Sequence, residues 1–231
     1  MTDWTEYVLA LALFVASHFL PRIGGAREKL IAAIGRRTYF SVYGAISVAL
    51  LVWVIAAAGR APYIELWPHY QWMRWLPNVV MPVAIVLATC GAGLRQPFTL
   101  GGRRGQPFNP ARSGVAAVSR HPLFLALALW AGTHLVANGD LAHVILFASF
   151  LAMPLAAILV FDARARQSLP PAEVLRFFTA TALFSPRPLF QHDWLRENGS
   201  AMALRAAIGL LLWLALLHLH GAMIGASPFP F

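Results

Sequence analysis

The chain carries one cysteine, Cys90, which excludes an internal disulfide and any cysteine-based metal cluster. Only 12% of its 231 residues are charged, about half the share of an ordinary soluble domain. Acidic residues number nine, and Lys29 is the one lysine among 18 basic residues. No internal repeat is present and nothing marks a second domain, so residues 1–231 read as a single domain. Gly101-Gly102-Arg103-Arg104-Gly105 lacks the Gly-Lys-Ser/Thr of a P-loop and follows no strand, so it does not read as a phosphate cradle.

Apolar residues are what the chain has in abundance. They make up 59% of it, and the mean hydropathy is +0.64, a balance that belongs to a polytopic membrane protein. Six apolar runs, at about 4–22, 38–58, 77–94, 121–137, 141–161 and 202–221, have spanning length. The short leader of the first carries Asp3 and Glu6 with no basic residue, the wrong polarity for a cleaved signal peptide.

The net charge of +9 would suggest nucleic acid in a soluble protein, but here the basic residues are topology signals and no nucleic-acid partner is implied. Residues 22–37 hold five Arg/Lys, 95–120 five Arg and 162–205 six Arg, against Arg60 and Arg74 alone in 59–76 and none in 138–140 or at the termini. The rich and poor segments alternate, so the positive-inside rule puts the rich ones in the cytoplasm and both termini outside. Trp67, Tyr70, Trp72 and Trp75 form an aromatic belt on the outer segment. The fold class is therefore an all-α integral membrane protein, a six-transmembrane-helix bundle. The two long inner segments read as basic linkers, with a short surface helix within 171–184.

Most of the eight histidines need no role: His69 and His192 lie on loops, and His143, His218 and His220 at outer span ends. His18 and His134 lie inside apolar spans, where an ionisable group is either a functional site or a neutral imidazole pairing helices. Two such imidazoles are also what holds a b-type haem between spans. The absence of Cys-x-x-Cys-His excludes covalent attachment. Arg120-His121 precedes Pro122 at the cytoplasmic start of the fourth span, a helix N-terminus that suits an anion, or simply a cap and an interface arginine. His121 and His134 are thirteen residues apart, about 20 Å along a helix and on different faces, so they do not share one small site. Asn138-Gly139 ends one helix and Asp140 caps the next, while Asp162, followed by Arg164 and Arg166, reads as a surface ion pair.

Arg120-His121-Pro122-Leu123, followed by Leu129-Trp130-Ala131-Gly132-Thr133-His134-Leu135-Val136-Ala137-Asn138-Gly139-Asp140, resembles the NnrU family signature. Ser17-His18-Phe19-Leu20-Pro21 and Asp162-Ala163-Arg164 fit the same family, and the likeness covers nearly the whole chain. The resemblance implies a bacterial inner-membrane protein linked to nitrite and nitric oxide reductase expression in denitrification. The family includes the plant zeta-carotene isomerase, a haem b protein acting on a cis double bond of a polyene. By that likeness His18 and His134 are the axial haem ligands, with His121 the reserve partner because its expected depth matches that of His18.

The resemblance leaves the reaction open between a nitric-oxide-linked or redox role and isomerase-like chemistry on an apolar polyene. Arg-His-Pro at a cytoplasmic helix start is also similar to small membrane methyltransferases that bind S-adenosylmethionine there. Those carry a glutamate pair after the next span, where this chain has Phe161-Asp162-Ala163-Arg164. A scaffold without cofactor, whose histidines only pair helices, is the remaining alternative.

Overall fold

A computed structural model describes residues 4–96, 98–103 and 108–229. Asp3 of the leader and Arg104-Gly105 of the glycine-arginine run lie outside them. The described elements are helical: α1 (Trp4–Phe19), α2 (Ala26–Ile34), α3 (Arg36–Arg60), α4 (Gln71–Gly91), α5 (Pro122–Ala137), α6 (Leu141–Ser168), α7 (Pro171–Ala180) and α8 (His192–Ile224), with short 3₁₀ turns between them. Four of these, α3, α4, α6 and α8, are long and apolar enough to cross a membrane. The pair α1 and α2, joined by a sharp bend at Leu20–Gly25, makes a fifth crossing if counted as one broken span. The sixth expected span corresponds to α5, apolar but only 16 residues long.

Prolines set several of the boundaries. A residue before proline avoids the α region, and Ala61 before Pro62 is accordingly extended after α3; α1 instead gives way at Leu20 to a 3₁₀ turn that breaks at Ile23 and Gly24. Other prolines are absorbed. Pro77 and Pro82 lie inside α4, so Trp72 and Trp75, expected on a loop, belong to its first turns. Pro154 lies inside α6, which runs on past the apolar stretch through Asp162, Arg164 and Arg166.

Contacts divide the chain into two units. In the first (1–68 and 138–146), α1 packs on α3, with Tyr7, Ala10 and Phe14 buried on α1 and Val54, Ala57 and Ala58 buried on α3. Glu6 pairs with Arg60 and accepts a bond from the Trp53 indole, tying the start of α1 to the end of α3. The Tyr7 hydroxyl donates to the Ala142 carbonyl at 2.8 Å. Connections 61–67 and 138–140 meet through backbone bonds, Leu66 N–H to the Gly139 carbonyl at 2.7 Å and Leu141 N–H to the Ile64 carbonyl at 2.8 Å. Asp140 caps α6 as expected, accepting the His143 N–H at 3.2 Å. Gly139 is glycine for another reason than a left-handed cap: its φ is not positive, and a Cβ there would stand 2.0 Å from the Trp67 carbonyl oxygen.

In the second unit (69–137 and 147–231), α4 packs against α5 and α8. Small residues carry these contacts, as they do between helices in lipid. Ala84 and Leu87 meet Ala126, a Cβ on Gly91 would run into Pro122, and one on Gly209 would run into Thr89 and Val86. Outward faces stay apolar, with Val52, Leu159 and Leu211 more than 60% exposed, as lipid contact requires.

The segment 95–120 is not the linker it was expected to be. Gln96, Thr99, Ser113, Val115, Val118 and Ser119 are buried, and Gly93 N–H to Gly101 and Arg103 N–H to Leu94 close a tight loop. This segment also bonds to 162–205: Arg120 N–H to Ala182, Ala182 N–H to Ala116 and Ser185 N–H to Val118. A short helix lies within 171–184 as α7, with Phe177 buried.

Candidate functional site

His18 sits in the last turn of α1. Its Nδ1 lies 2.8 Å from the Phe14 carbonyl oxygen and 3.2 Å from the Ser17 hydroxyl, which itself donates to Phe14. A carbonyl only accepts, so Nδ1 carries the hydrogen, and in the neutral ring the lone pair is on Nε2. The Phe14 ring lies 4.6 Å from the imidazole; Tyr43, stacked on Tyr39, lies 6.1 Å away.

His134 sits in the last turn of α5. Its Nδ1 lies 2.8 Å from the Trp130 carbonyl oxygen, so it too carries the hydrogen, which in the neutral ring puts the lone pair on Nε2. The Thr133 hydroxyl bonds back to the Leu129 and Trp130 carbonyls. Phe147 and Trp130 flank the ring at 5.3 and 5.8 Å, and Trp130 stacks on Phe150. Phe14-Val15-Ala16-Ser17-His18 and Trp130-Ala131-Gly132-Thr133-His134 thus use one device: an aromatic residue four before the histidine, a hydroxyl one before it, and Nδ1 tied to the carbonyl four back. Metal-ligating histidines characteristically hold their second ring nitrogen this way, which fixes the tautomer and the ring. Among the described residues no three His, Cys, Asp or Glu side chains converge as a metal-ion site. A haem iron asks less of the protein, only axial nitrogens and apolar or aromatic walls, and His18 and His134 each have an aromatic wall of that kind.

Arg120 and His121 are organised differently. Asp162, from the last turns of α6, receives the Arg120 guanidinium at both oxygens, 2.8 and 2.7 Å, and the His121 Nε2–H at 2.9 Å. His121 Nδ1 faces the Thr99 hydroxyl at 3.2 Å. The Gln96 amide donates to the Arg120 carbonyl, and the guanidinium lies over the Phe178 ring, which Arg166 shares. Side-chain exposure is 13% for Arg120, 18% for Asp162 and 0% for His121. Asp162 is therefore not a surface ion pair but the centre of a largely buried cluster joining the start of α5, the end of α6 and the 93–103 loop.

The order Asp-His-Thr resembles a hydrolytic triad, but Arg120 holds the carboxylate and Thr99 is buried. Both ring nitrogens of His121 are engaged, and the anion that Arg120 meets is Asp162. Burial holds the His121 imidazole below the usual histidine range; the bond to Asp162 opposes this and Arg120 adds to it.

This cluster was not legible in the sequence, since 42 residues separate Arg120 from Asp162 and no local spacing links them. Elsewhere His143 Nδ1 pairs with Asp140, His220 Nδ1 bonds the Ala226 carbonyl and His192 is exposed beside Asp193.

The model of the NnrU protein family matches residues 6–228. No curated protein and no solved structure matches the chain. The match takes in both histidine presentations and the Arg120–His121–Asp162 cluster, and so nearly the whole chain: it is a multi-pass membrane protein belonging to the NnrU family.

Proposed function

We propose that this protein binds haem b in the inner membrane of a bacterium, with His18 and His134 as axial ligands. The observation that carries the reading is their common presentation, with Nδ1 tied to the carbonyl four residues back, a hydroxyl neighbour and an aromatic wall. His121 is left out because Thr99 and Asp162 take its two nitrogens. When bound, the haem would supply one-electron iron chemistry, with His18 and His134 holding it. The protein's part is to fix two neutral imidazoles and surround them with aromatic side chains.

The proposed topology has six crossings with both termini periplasmic: α3, α4, α6 and α8, and the shorter α1 and α5. Two bond sets support it. The arginine-poor connections 61–67 and 138–140 hydrogen-bond to each other, and the arginine-rich 95–120 and 162–205 do likewise, as segments on one side of a membrane would.

The test is the haem content of detergent-purified protein from haem-replete cells. The wild type and His192→Ala are expected to hold near-stoichiometric haem, whereas His18→Ala and His134→Ala lose it. Equal haem in all four would refute the ligand assignment. A colourless wild type that binds S-adenosylmethionine through Arg120 would favour the methyltransferase alternative.

A further inference from the structure

The first turn of α3 and the neighbouring α2 bring unneutralised positive charge together. The guanidinium of Arg27, on α2, lies 5.3 Å from the centre of the Phe40 ring, and that of Arg36, on α3, lies 5.2 Å from the same centre. Two like charges at one ring repel unless an anion joins them. Among the described residues neither arginine, nor the adjacent Arg37, has a carboxylate partner. Arg36, Arg37, Phe40 and Ser41 line an open groove of about 530 Å³, enough for a phosphate headgroup. Gly35 precedes α3 without a side-chain cap, so the first amides of the helix are not satisfied by a side chain. That adds to the guanidinium charge.

Position selects the kind of anion. At 25 residues α3 is about 37 Å long, longer than a hydrocarbon core of roughly 30 Å, so its first turn lies at headgroup level. Val42, Ile46, Val48 and Val52 farther along α3 are exposed and apolar. We propose that Arg27, Arg36, Arg37 and Phe40 form a binding site for the phosphate headgroup of an anionic phospholipid, its acyl chains running along α3. The proposal needs only α3 as a crossing helix and is independent of haem.

The experiment is native mass spectrometry of the full detergent-purified chain, titrated with phosphatidylglycerol or phosphatidylcholine. The wild type is expected to prefer phosphatidylglycerol. The double variant Arg27→Gln/Arg36→Gln is expected to lose about tenfold or more in that affinity, from roughly fivefold per basic residue at a headgroup surface. The charge-matched Arg187→Gln/Arg196→Gln, on exposed residues elsewhere, is expected to keep it. Phe40→Leu retains every charge but removes the ring that gathers them, and is expected to narrow the lipid preference several-fold. Unchanged affinity in the Arg27/Arg36 variant, or equal loss in both double variants, would overturn the site. Displacement of the lipid by millimolar inorganic phosphate would reassign it to a free anion. Size-exclusion profiles matching the wild type establish that each variant is folded.

Discussion

Neutralising Asp162 gives the sharpest stability test of the inner cluster. In Asp162→Asn the side chain keeps its shape but loses its charge, leaving the Arg120 guanidinium largely buried without a counter-ion. Two of the bonds lost or weakened are the charge-assisted pair at 2.8 and 2.7 Å, and the third is the His121 contact at 2.9 Å. Exposed pairs contribute under about 1 kcal/mol, but with exposures of 13% and 18% this one is screened far less. Breaking a buried pair from one side typically costs about 3–5 kcal/mol, and the residual exposure puts the expectation near the lower end, about 3 kcal/mol. Arg120→Gln should cost a similar amount, and the double variant clearly less than the sum, with a coupling of about 2 kcal/mol. Unfolding in mixed detergent–dodecyl sulfate micelles, followed by tryptophan fluorescence, yields the four stabilities. Additive losses, with coupling below about 0.5 kcal/mol, would refute the cluster as a cooperative unit.

Three further perturbations follow from the geometry. Because burial lowers the folded-state pKa of His121, the unfolded chain takes up its proton first as pH falls. Stability from this group is thus complete above about pH 6.5, the ordinary histidine value, and declines below it by at most about 1.4 kcal/mol per pH unit. His121→Gln should flatten the acid limb relative to wild type in the same unfolding assay, and parallel curves would contradict the assignment. Gly102→Ala would place a Cβ 2.0 Å from the Gln96 carbonyl oxygen and should lower the detergent melting temperature markedly, whereas Gly44→Ala, with nothing within 4 Å, should not. Arg205 on α8 donates to the carbonyls of Thr89, Cys90 and Ala92 at 2.6–3.3 Å, closing the C-terminal end of α4. Arg205→Ala should cost about 1–2 kcal/mol, checked by the same titration.

How much was legible depended on the range of the interaction. Hydropathy located every long helix because a span must bury its backbone within itself, so composition and length suffice. Helix ends were less legible. Hydropathy fades at 161 although α6 continues to Ser168, since charged residues can be helical without being in lipid, and Pro77 hid the aromatic start of α4. The two histidine presentations were half visible: His18 and His134 were singled out for depth, but the shared Phe14/Trp130 and Ser17/Thr133 device emerges only when the Nδ1 bonds are seen. The Asp162 cluster and the bonds of Ala116, Val118 and Arg120 to 182–185 rest on contacts between distant parts of the chain. Local patterns do not encode these, and arginine-rich composition read as a linker there.

The central claim rests on two fixed imidazoles, and the absorption spectrum of the purified wild type tests it most directly, oxidised and dithionite-reduced, with a pyridine haemochrome assay. A sharp Soret band with split reduced bands and near-stoichiometric haem b is the expected result. A colourless protein from haem-replete cells would contradict it.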